Sequence, residues 1–266
     1  MLKRLWCTNH KKAVLLHRGM KLSIVIPAYN EEARVTSTLT SILRYFQQRR
    51  FAFEIIVVDD GSTDATVSVV ENLADKRIRV LRLGRNQGKG KAVHQGITHA
   101  RYDYVLFTDA DLSTPIQDFE LLEPHIEHYD IVIGSRNLPE SLITRPQPWL
   151  RSTLGKTFPL LVRAFVVPDI KDTQCGFKLF SQKAIKTIAP YQTIFDFGFD
   201  VELLFLARKA RLAVKEIGVH WGNADGSTVN PVRDSGRMFM DLWKIRWNDL
   251  CGRYTLDTGP RRGSRK

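Results

Sequence analysis

The sequence lacks long hydrophobic runs. Its longest apolar stretches have about the length of a strand, far short of the roughly 20 residues that a membrane-spanning helix needs. Near the N-terminus the apolar run is limited to residues 13–16, which is too short for the core of a signal peptide. We therefore expect neither a membrane span nor a secretory leader in this chain.

Cysteine is also scarce. The three cysteines, Cys7, Cys175 and Cys251, are widely separated and follow no metal-binding spacing. Because they also suggest no disulfide framework, we expect the protein to act in a reducing compartment.

Acidic residues are absent from both ends of the chain, although the net charge of the whole is +12. We interpret these basic ends either as solvated segments that keep the protein soluble or as contacts with an anionic surface, membrane or nucleic acid. We divide the chain into a basic N-terminal extension (1–20), a main domain (21–230) and a C-terminal amphipathic helix with a basic tail (231–266).

Strand-like and helix-like segments alternate in the first half of the main domain. Four apolar segments of strand length are separated by segments with apolar residues at helical spacing, and the connections are short. This alternation is typical of an α/β fold with a mostly parallel central sheet flanked by helices on both faces. Ligands of such sheets bind at the carboxyl ends of the strands.

Polar, acidic or glycine-rich residues follow each of these four strands. The sequences are PAYNEE (27–32), DDGS (59–62), GRNQGKGKA (84–92) and DAD (109–111). Asp109 and Asp111 are two positions apart, so on an extended chain their side chains point to the same side. Because two adjacent anions repel each other, we expect a cation between them. The alternative is an acidic turn that caps a helix before Ile116.

In this order and spacing, the motifs resemble glycosyltransferase family 2, whose members are inverting sugar transferases with the GT-A fold. The segments that carry the resemblance are SIVIPAYNEE, IIVVDDGSTDAT, NQGKGKAV and TDADLSTP. Two later segments, GSR (134–136) and DTQCGFKLF (172–180), are similar to the branch that uses polyprenyl phosphates. Within it, the members that glucosylate dolichyl phosphate are the most similar, and the mannosyl-transferring members are near neighbours.

The resemblance implies a hexosyltransferase that moves glucose from UDP-glucose to a polyprenyl phosphate, dolichyl or undecaprenyl, in a single displacement. It also implies a divalent cofactor, Mg²⁺ or Mn²⁺, held by Asp109 and Asp111. Carboxylate oxygens are the ligands that these ions prefer. Two alternatives remain open: transfer of mannose from GDP-mannose, and a glycan or soluble acceptor.

The same resemblance implies roles for individual residues. The residues expected to bind the donor are Pro27, Tyr29, Glu31, Asp59, Asp60, Gly88, Lys89 and Asp109. The residues expected to bind the acceptor side of the substrate are Arg136, Arg151, Gln174 and Lys178. The residues expected to act in catalysis are Asp111 and Arg136, with Asp172, Asp200 and Glu202 as candidates for orienting the acceptor or acting as a base.

A phosphate acceptor changes what the site needs. A phosphomonoester is mostly dianionic at neutral pH, so it is already a nucleophile and requires cations rather than a strong base. Its lipid tail requires contact with a membrane. We therefore expect a cytoplasmic protein associated peripherally with the cytoplasmic face of a membrane. We expect no nucleic acid partner, because acidic strand ends repel phosphates unless a metal intervenes.

The segment 233–250 has the pattern of an amphipathic helix. One side carries Arg233, Arg237, Asp241, Lys244 and Asn248, and the other carries Phe239, Leu242, Trp243 and Leu250. This pattern is typical of a helix that lies in a membrane interface, and equally of a helix packed on a protein core. Near the end of the preceding strand, we expect His220 to be structural or to line the pocket rather than to bind a metal.

Overall fold

The computed structural model describes residues 19–49, 52–145, 160–222 and 231–256, without the side chains of residues 145 and 231–235. Arg151, most of the N-terminal extension and the basic tail lie outside the described residues. Within the described part, no helix combines the length and the hydropathy that crossing a membrane requires.

Strands and helices alternate as the sequence predicts. The strands are β1 (Lys21–Ala28), β2 (Ala52–Asp59), β3 (Ile78–Arg82), β4 (Tyr104–Thr108), β5 (Ile131–Ser135), β6 (Leu142–Arg145), β7 (Phe177–Ser181), β8 (Val214–Gly218) and β9 (His220–Gly222). The helices are α1 (Val35–Gln47), α2 (Thr66–Glu71), α3 (Lys89–Thr98), α4 (Phe119–Leu122), α5 (Gln182–Ile188), α6 (Phe199–Lys209) and α7 (Pro231–Leu250). A further helical stretch includes residues 160–165, and 3₁₀ turns span Ile116–Asp118, Glu123–His125 and Ala189–Tyr191.

Seven of these strands form the central sheet, in the order β3-β2-β1-β4-β7-β5-β8. Every neighbouring pair is parallel except the two that involve β7, which runs antiparallel to both β4 and β5. The mostly parallel sheet predicted from the alternation is therefore confirmed. Strands β6 and β9 pair separately as a short parallel ribbon.

Helices cover both faces of the sheet, because the side chains of each central strand alternate between two cores. On β1, Ile24 and Ile26 face a core shared with α1, α2 and α4, whereas Val25 faces a core shared with α3, α5, α6 and α7. The C-terminal helix α7 contributes Leu242 and Ile245 to this second core. Helix α7 is thus packed on the same core as the main domain.

The topology brings the polar motifs to one edge of the sheet. The parallel strands β1, β2, β4 and β5 all end there, so the residues after Ala28, Asp59, Thr108 and Ser135 meet at that edge. Because β7 runs the other way, it begins at the same edge, with Phe177 opposite Thr108. The loop before β7 therefore adds residues 172–176 to those that follow the parallel strands.

Candidate active site

The acidic pair lies in a tight loop directly after β4. The Asp109 amide donates to the Gly176 carbonyl (3.2 Å), and a Cβ on Gly176 would lie 2.0 Å from Asp109 Oδ2. Only glycine leaves room for the carboxylate at this position. Asp111 Oδ1 accepts from the Ser113 amide (2.8 Å), while no described residue bonds its Oδ2. One oxygen of Asp111 therefore remains available to a ligand.

A threonine on α1 anchors the same loop from the opposite side. Thr38 is buried, and its Oγ1 donates to the Ala110 carbonyl (2.5 Å). The sequence analysis missed Thr38 because it lies among the apolar residues of an ordinary amphipathic helix. Its hydroxyl gives the loop between the two aspartates a fixed position.

Lysine supplies the cation that the acidic pair requires. Lys89 is the first residue of α3, and its Nζ lies 2.7 Å from Asp109 Oδ1. Burial disfavours its charge, but Asp109 and Asp200 outweigh burial and raise the pKa of Lys89. Lys89 is therefore positively charged and lies beside the acidic pair.

Behind Lys89 lies a second ion pair. Lys178 Nζ lies 2.6 Å from Asp200 Oδ1 and also donates to the Cys175 carbonyl (2.6 Å). The Lys178 side chain is only 1% exposed. This burial does not support the expected contact between Lys178 and the acceptor phosphate, because the ammonium is enclosed and already paired with Asp200. Burial raises the pKa of Asp200, and Lys178 and Lys89 oppose that rise.

Glu202 occupies a structural position rather than one at the strand ends. It is fully buried and accepts hydrogen bonds from the amides of Thr193 and Ile194 and from the hydroxyl of Tyr254 (2.6 Å). Burial raises the pKa of Glu202 above its usual range. Its surroundings do not support the expected role as base or acceptor-orienting group, since its oxygens tie α6 to the loop before it and to the segment after α7.

An arginine fork follows β5. Arg136 Nε and Nη2 donate to Asp172 Oδ2 (2.7 Å) and Oδ1 (2.8 Å). Burial alone would raise the pKa of Asp172, but Arg136 holds it below the usual range. The guanidinium carbon also lies 5.6 Å from the ring centroid of Trp221. Of its five N–H donors, Asp172 engages two, which leaves three for a ligand.

The arginine fork and the acidic pair share one region. The charge of Asp109 is among those that raise the pKa of Arg136 against the effect of burial, after the larger contribution of Asp172. The backbone amide of Gln174 donates to Asp172 Oδ1 (3.2 Å), so Gln174 supports the carboxylate that holds Arg136. The Gln174 side-chain nitrogen lies 3.9 Å from Met238 Sδ on α7.

The glycine-rich loop before α3 is held by Asp60. Its two oxygens accept the amides of Gln87 (2.7 Å) and Gly88 (2.9 Å), and burial raises its pKa. A Cβ on Gly88 or on Gly90 would lie 2.7 Å from the Phe195 carbonyl oxygen. These glycines are therefore required by packing against residue 195, a reason that the sequence analysis did not foresee. Asp59 is buried beside them and accepts from the Ser62 amide.

The residues after β1 complete this edge. Pro27 is half-buried on β1, and Tyr29 follows the strand with its ring exposed. Glu31 forms an ion pair with Arg34. Burial raises the pKa of Glu31, with further contributions from Asp111 and Asp109, so this carboxylate lies within electrostatic reach of the acidic pair.

The described residues contain no group of three or more His, Cys, Asp or Glu side chains arranged to hold a metal ion. Asp109 and Asp111 offer two hard carboxylate ligands, one of which already pairs with Lys89. This donor set fits a divalent cation whose remaining ligands come from a diphosphate and water. His220 Nδ1 lies within hydrogen-bond distance of Asp118 Oδ1 (2.8 Å), and its backbone amide donates to Asp118 Oδ2 (2.6 Å), in keeping with a structural role.

Comparisons with known proteins show which sequences this chain resembles. The sequence model of glycosyl transferase family 2 matches residues 23–189, more than half of the chain. A dolichyl-phosphate beta-glucosyltransferase from Dictyostelium discoideum is 39% identical over 88% of this chain and 76% of its own length. The human protein of the same name is 36% identical over 89% of this chain and 78% of its own length.

Solved structures give the same fold. A glucosyl-3-phosphoglycerate synthase from Mycobacterium tuberculosis, in complex with Mn²⁺, UDP-glucose and phosphoglyceric acid, matches with a TM-score of 0.64. The match covers 85% of this chain and 79% of that chain at 19% identity. A mannosyl-3-phosphoglycerate synthase from Rubrobacter xylanophilus matches with a TM-score of 0.62 at 21% identity, over 88% of this chain and 76% of that one. At these identities, the likeness establishes the fold.

The assignment of Glu202 to the structure of the fold leads to a prediction about Tyr254. Tyr254→Phe removes the hydroxyl that donates to Glu202, so we expect the free energy of unfolding to fall by about 1–3 kcal/mol. Tyr102→Phe is the matched control, because no described residue bonds the Tyr102 hydroxyl. Urea unfolding of both variants measures the effect. Equal stability of the two variants would contradict the structural assignment.

Proposed function

The chain belongs to glycosyltransferase family 2, and from this premise we propose that it transfers glucose from UDP-glucose to dolichyl phosphate. It is a hexosyltransferase with the GT-A fold. The observation that carries the proposal is the shared edge of the sheet, where the Asp109–Asp111 pair and the Arg136 fork lie together. The names of the curated relatives support glucose as the sugar and dolichyl phosphate as the acceptor.

The acidic pair serves the donor. Asp109 and Asp111 would hold Mg²⁺ or Mn²⁺ against the diphosphate, and the metal would stabilise the charge that develops as UDP leaves. Lys89 lies 2.7 Å from Asp109 and is charged, so it is placed to pair with the diphosphate once its carboxylate partner has another cation. The solved relative with Mn²⁺ and UDP-glucose supports this class of cofactor and donor.

Tyr29, Pro27 and the loop held by Asp60 serve the nucleoside. Tyr29 presents an exposed ring at the end of β1, a surface on which a base can stack. Asp60 already accepts two backbone amides, so it positions the Gly88 loop and meets the uracil imide only with its remaining lone pairs. Glu31 and Asp59 contribute negative charge near this end of the site.

Arg136 serves the acceptor. Its guanidinium is fixed in orientation by Asp172 and keeps three N–H donors, which suits the geometry of a phosphate group. The dianionic phosphate oxygen attacks the anomeric carbon from the face opposite UDP, so an α-linked donor gives a β-linked product. The base that a hydroxyl acceptor would require is not needed, because the phosphate is already ionised.

We assign the reaction to the cytoplasmic face of a membrane, where a lipid-borne acceptor meets a nucleotide sugar. Free thiols at Cys175 and Cys251 agree with a reducing compartment. Acceptor-site contacts of Arg151 belong to the same proposal, although this residue lies outside the described part of the chain.

The proposal is tested by offering radiolabelled UDP-glucose with and without dolichyl phosphate, in the presence of Mg²⁺ or Mn²⁺. We expect label to enter the organic phase only when dolichyl phosphate is present, and to be released by mild acid as glucose. GDP-mannose in place of UDP-glucose addresses the main alternative donor. Label in a water-soluble product alone would contradict the lipid acceptor, and transfer from GDP-mannose alone would contradict glucose.

The acidic pair can be tested with Asp111→Asn, which keeps the shape and the bond from the Ser113 amide. We expect glucosyl transfer to fall by about 100-fold or more, because stabilisation of the leaving diphosphate is lost. The control is Asp103→Asn, an exposed residue just before β4, at the other end of that strand, which should stay within about two-fold of the parent. Parental activity of the Asp111 variant in saturating metal would refute the role.

The arginine fork can be tested with Arg136→Lys, which retains one positive charge against the buried Asp172. We expect the KM for dolichyl phosphate to rise by about 10-fold or more while the KM for UDP-glucose changes little, because only the phosphate loses its fork. Arg208→Lys is the control, since Arg208 forms an exposed ion pair with Asp169. A parallel rise in both KM values would assign Arg136 to the donor or to the fold.

A further inference from the structure

The inner face of α7 fixes the helix firmly on the protein. Leu242 and Ile245 are buried in the core, and Asn248 Nδ2 donates to Thr193 Oγ1 (3.0 Å) and to the Tyr254 hydroxyl (3.2 Å). Asp241 is also buried against this face, where it pairs with Lys244. The orientation of α7 is therefore set by its inner contacts.

The outer face of α7 is apolar and exposed. Its stripe consists of Met240, Trp243, Trp247 and Leu250, which are 56%, 65%, 65% and 78% exposed. The spacing of three and four residues aligns them along one side of the helix, with Phe239 beside them. Contiguous exposed apolar patches of this kind mark interaction sites. The sequence pattern grouped Asp241 and Asn248 with the cations and Leu242 with Trp243, whereas in the structure all three are buried on the inner face.

Cations border this stripe without free acidic residues between them. The cations of the segment 236–253 are Arg237, Lys244, Arg246 and Arg253, all at least partly exposed. Its only acidic residues are Asp241, which pairs with Lys244, and Asp249, which pairs with Lys209 and with Arg246. The stripe is thus surrounded by net positive charge, which complements an anionic surface.

We propose, on the premise of the lipid acceptor, that the outer face of α7 docks on a bilayer surface that contains anionic lipids. Tryptophan side chains sit at the headgroup level of membranes, because one end of the ring system is apolar and the other donates a hydrogen bond. The flanking arginines and lysine meet the headgroup phosphates. A second copy of the chain is a poorer occupant, since a twofold interface brings two positive rims together.

The inner side of α7 contacts the acceptor side of the site. Met238, on the first half of α7, lies 3.9 Å from the Gln174 side chain, and the Gln174 amide donates to the Asp172 carboxylate that holds Arg136. Gln174 and Asp172 thus connect the inner side of α7 to the guanidinium assigned to the phosphate. The docked helix would therefore hold the acceptor side of the site at a fixed position relative to the bilayer.

The proposal is tested by flotation of the full chain with vesicles of phosphatidylcholine that contain about 30% phosphatidylserine. These vesicles hold neither dolichyl phosphate nor sugar, so binding and catalysis can fail separately. We expect the parent to float with the vesicles, and Trp243→Ser/Trp247→Ser to bind at least about 10-fold more weakly. Leu121→Ser, an exposed apolar residue on the opposite face of the sheet, is the control and should bind as the parent does.

A charge variant separates the electrostatic contribution to vesicle binding from the contribution of the apolar stripe. Arg237→Gln/Arg246→Gln should lose the preference for phosphatidylserine over pure phosphatidylcholine, whereas Arg101→Gln/Lys76→Gln, with exposed cations elsewhere, should keep it. Unchanged thermal unfolding of each variant shows that the fold is intact. Equal vesicle binding by the parent and the double tryptophan variant, or no binding by the parent, overturns the proposal. Dimerisation of the parent that the tryptophan variant abolishes, seen by light scattering, would also overturn it.

Discussion

Charge balance at the carboxyl edge of the sheet is the constraint on which the candidate site depends. Each of three carboxylates there is paired with one cation: Asp109 with Lys89, Asp200 with Lys178 and Asp172 with Arg136. A buried carboxylate that lost its partner would destabilise the fold, because its charge would be left uncompensated away from water. The antiparallel strand β7 meets this constraint, since it carries Lys178 and the loop before it carries Asp172.

The three pairs differ in how far a ligand can change them. The Lys178 pair is enclosed and therefore behaves as a fixed part of the scaffold. The Lys89 pair is partly exposed, so in the proposed function Asp109 would hold a metal and Lys89 would be available to a phosphate. Arg136 can bind a ligand without leaving its carboxylate partner, because Asp172 engages one edge of its guanidinium and no other described residue engages the remaining donors. On the proposed function, donor and acceptor phosphates would meet cations that the fold has already positioned.

The sequence predicts the sheet, its polar edge and the pair Asp109–Asp111, because strand periodicity and the residues after each strand are local features. It does not predict which charged residues are buried. Glu202 is predicted from the sequence as a candidate base, whereas in the structure the hydroxyl of Tyr254, 52 residues later, donates a hydrogen bond to it. Lys178 is predicted from the sequence to bind the acceptor phosphate, whereas in the structure its ammonium is buried and paired with Asp200. Burial of a charge depends on partners distant in sequence, so periodicity carries no information about it.

The sequence of helix α7 likewise does not show which of its residues are buried. Its sequence allows either a core-packed helix or an interfacial one, and the structure uses both faces: Leu242 and Ile245 enter the core while Trp243 and Trp247 remain outside. A helix with one apolar face can bury it either against the protein core or in a membrane. A helix with two apolar faces can contact both, and its position on the protein is then fixed. Because the inner face fixes the rotation of α7 relative to Gln174, the proposed contact of the outer face with a bilayer would also fix the orientation of Arg136 relative to that bilayer.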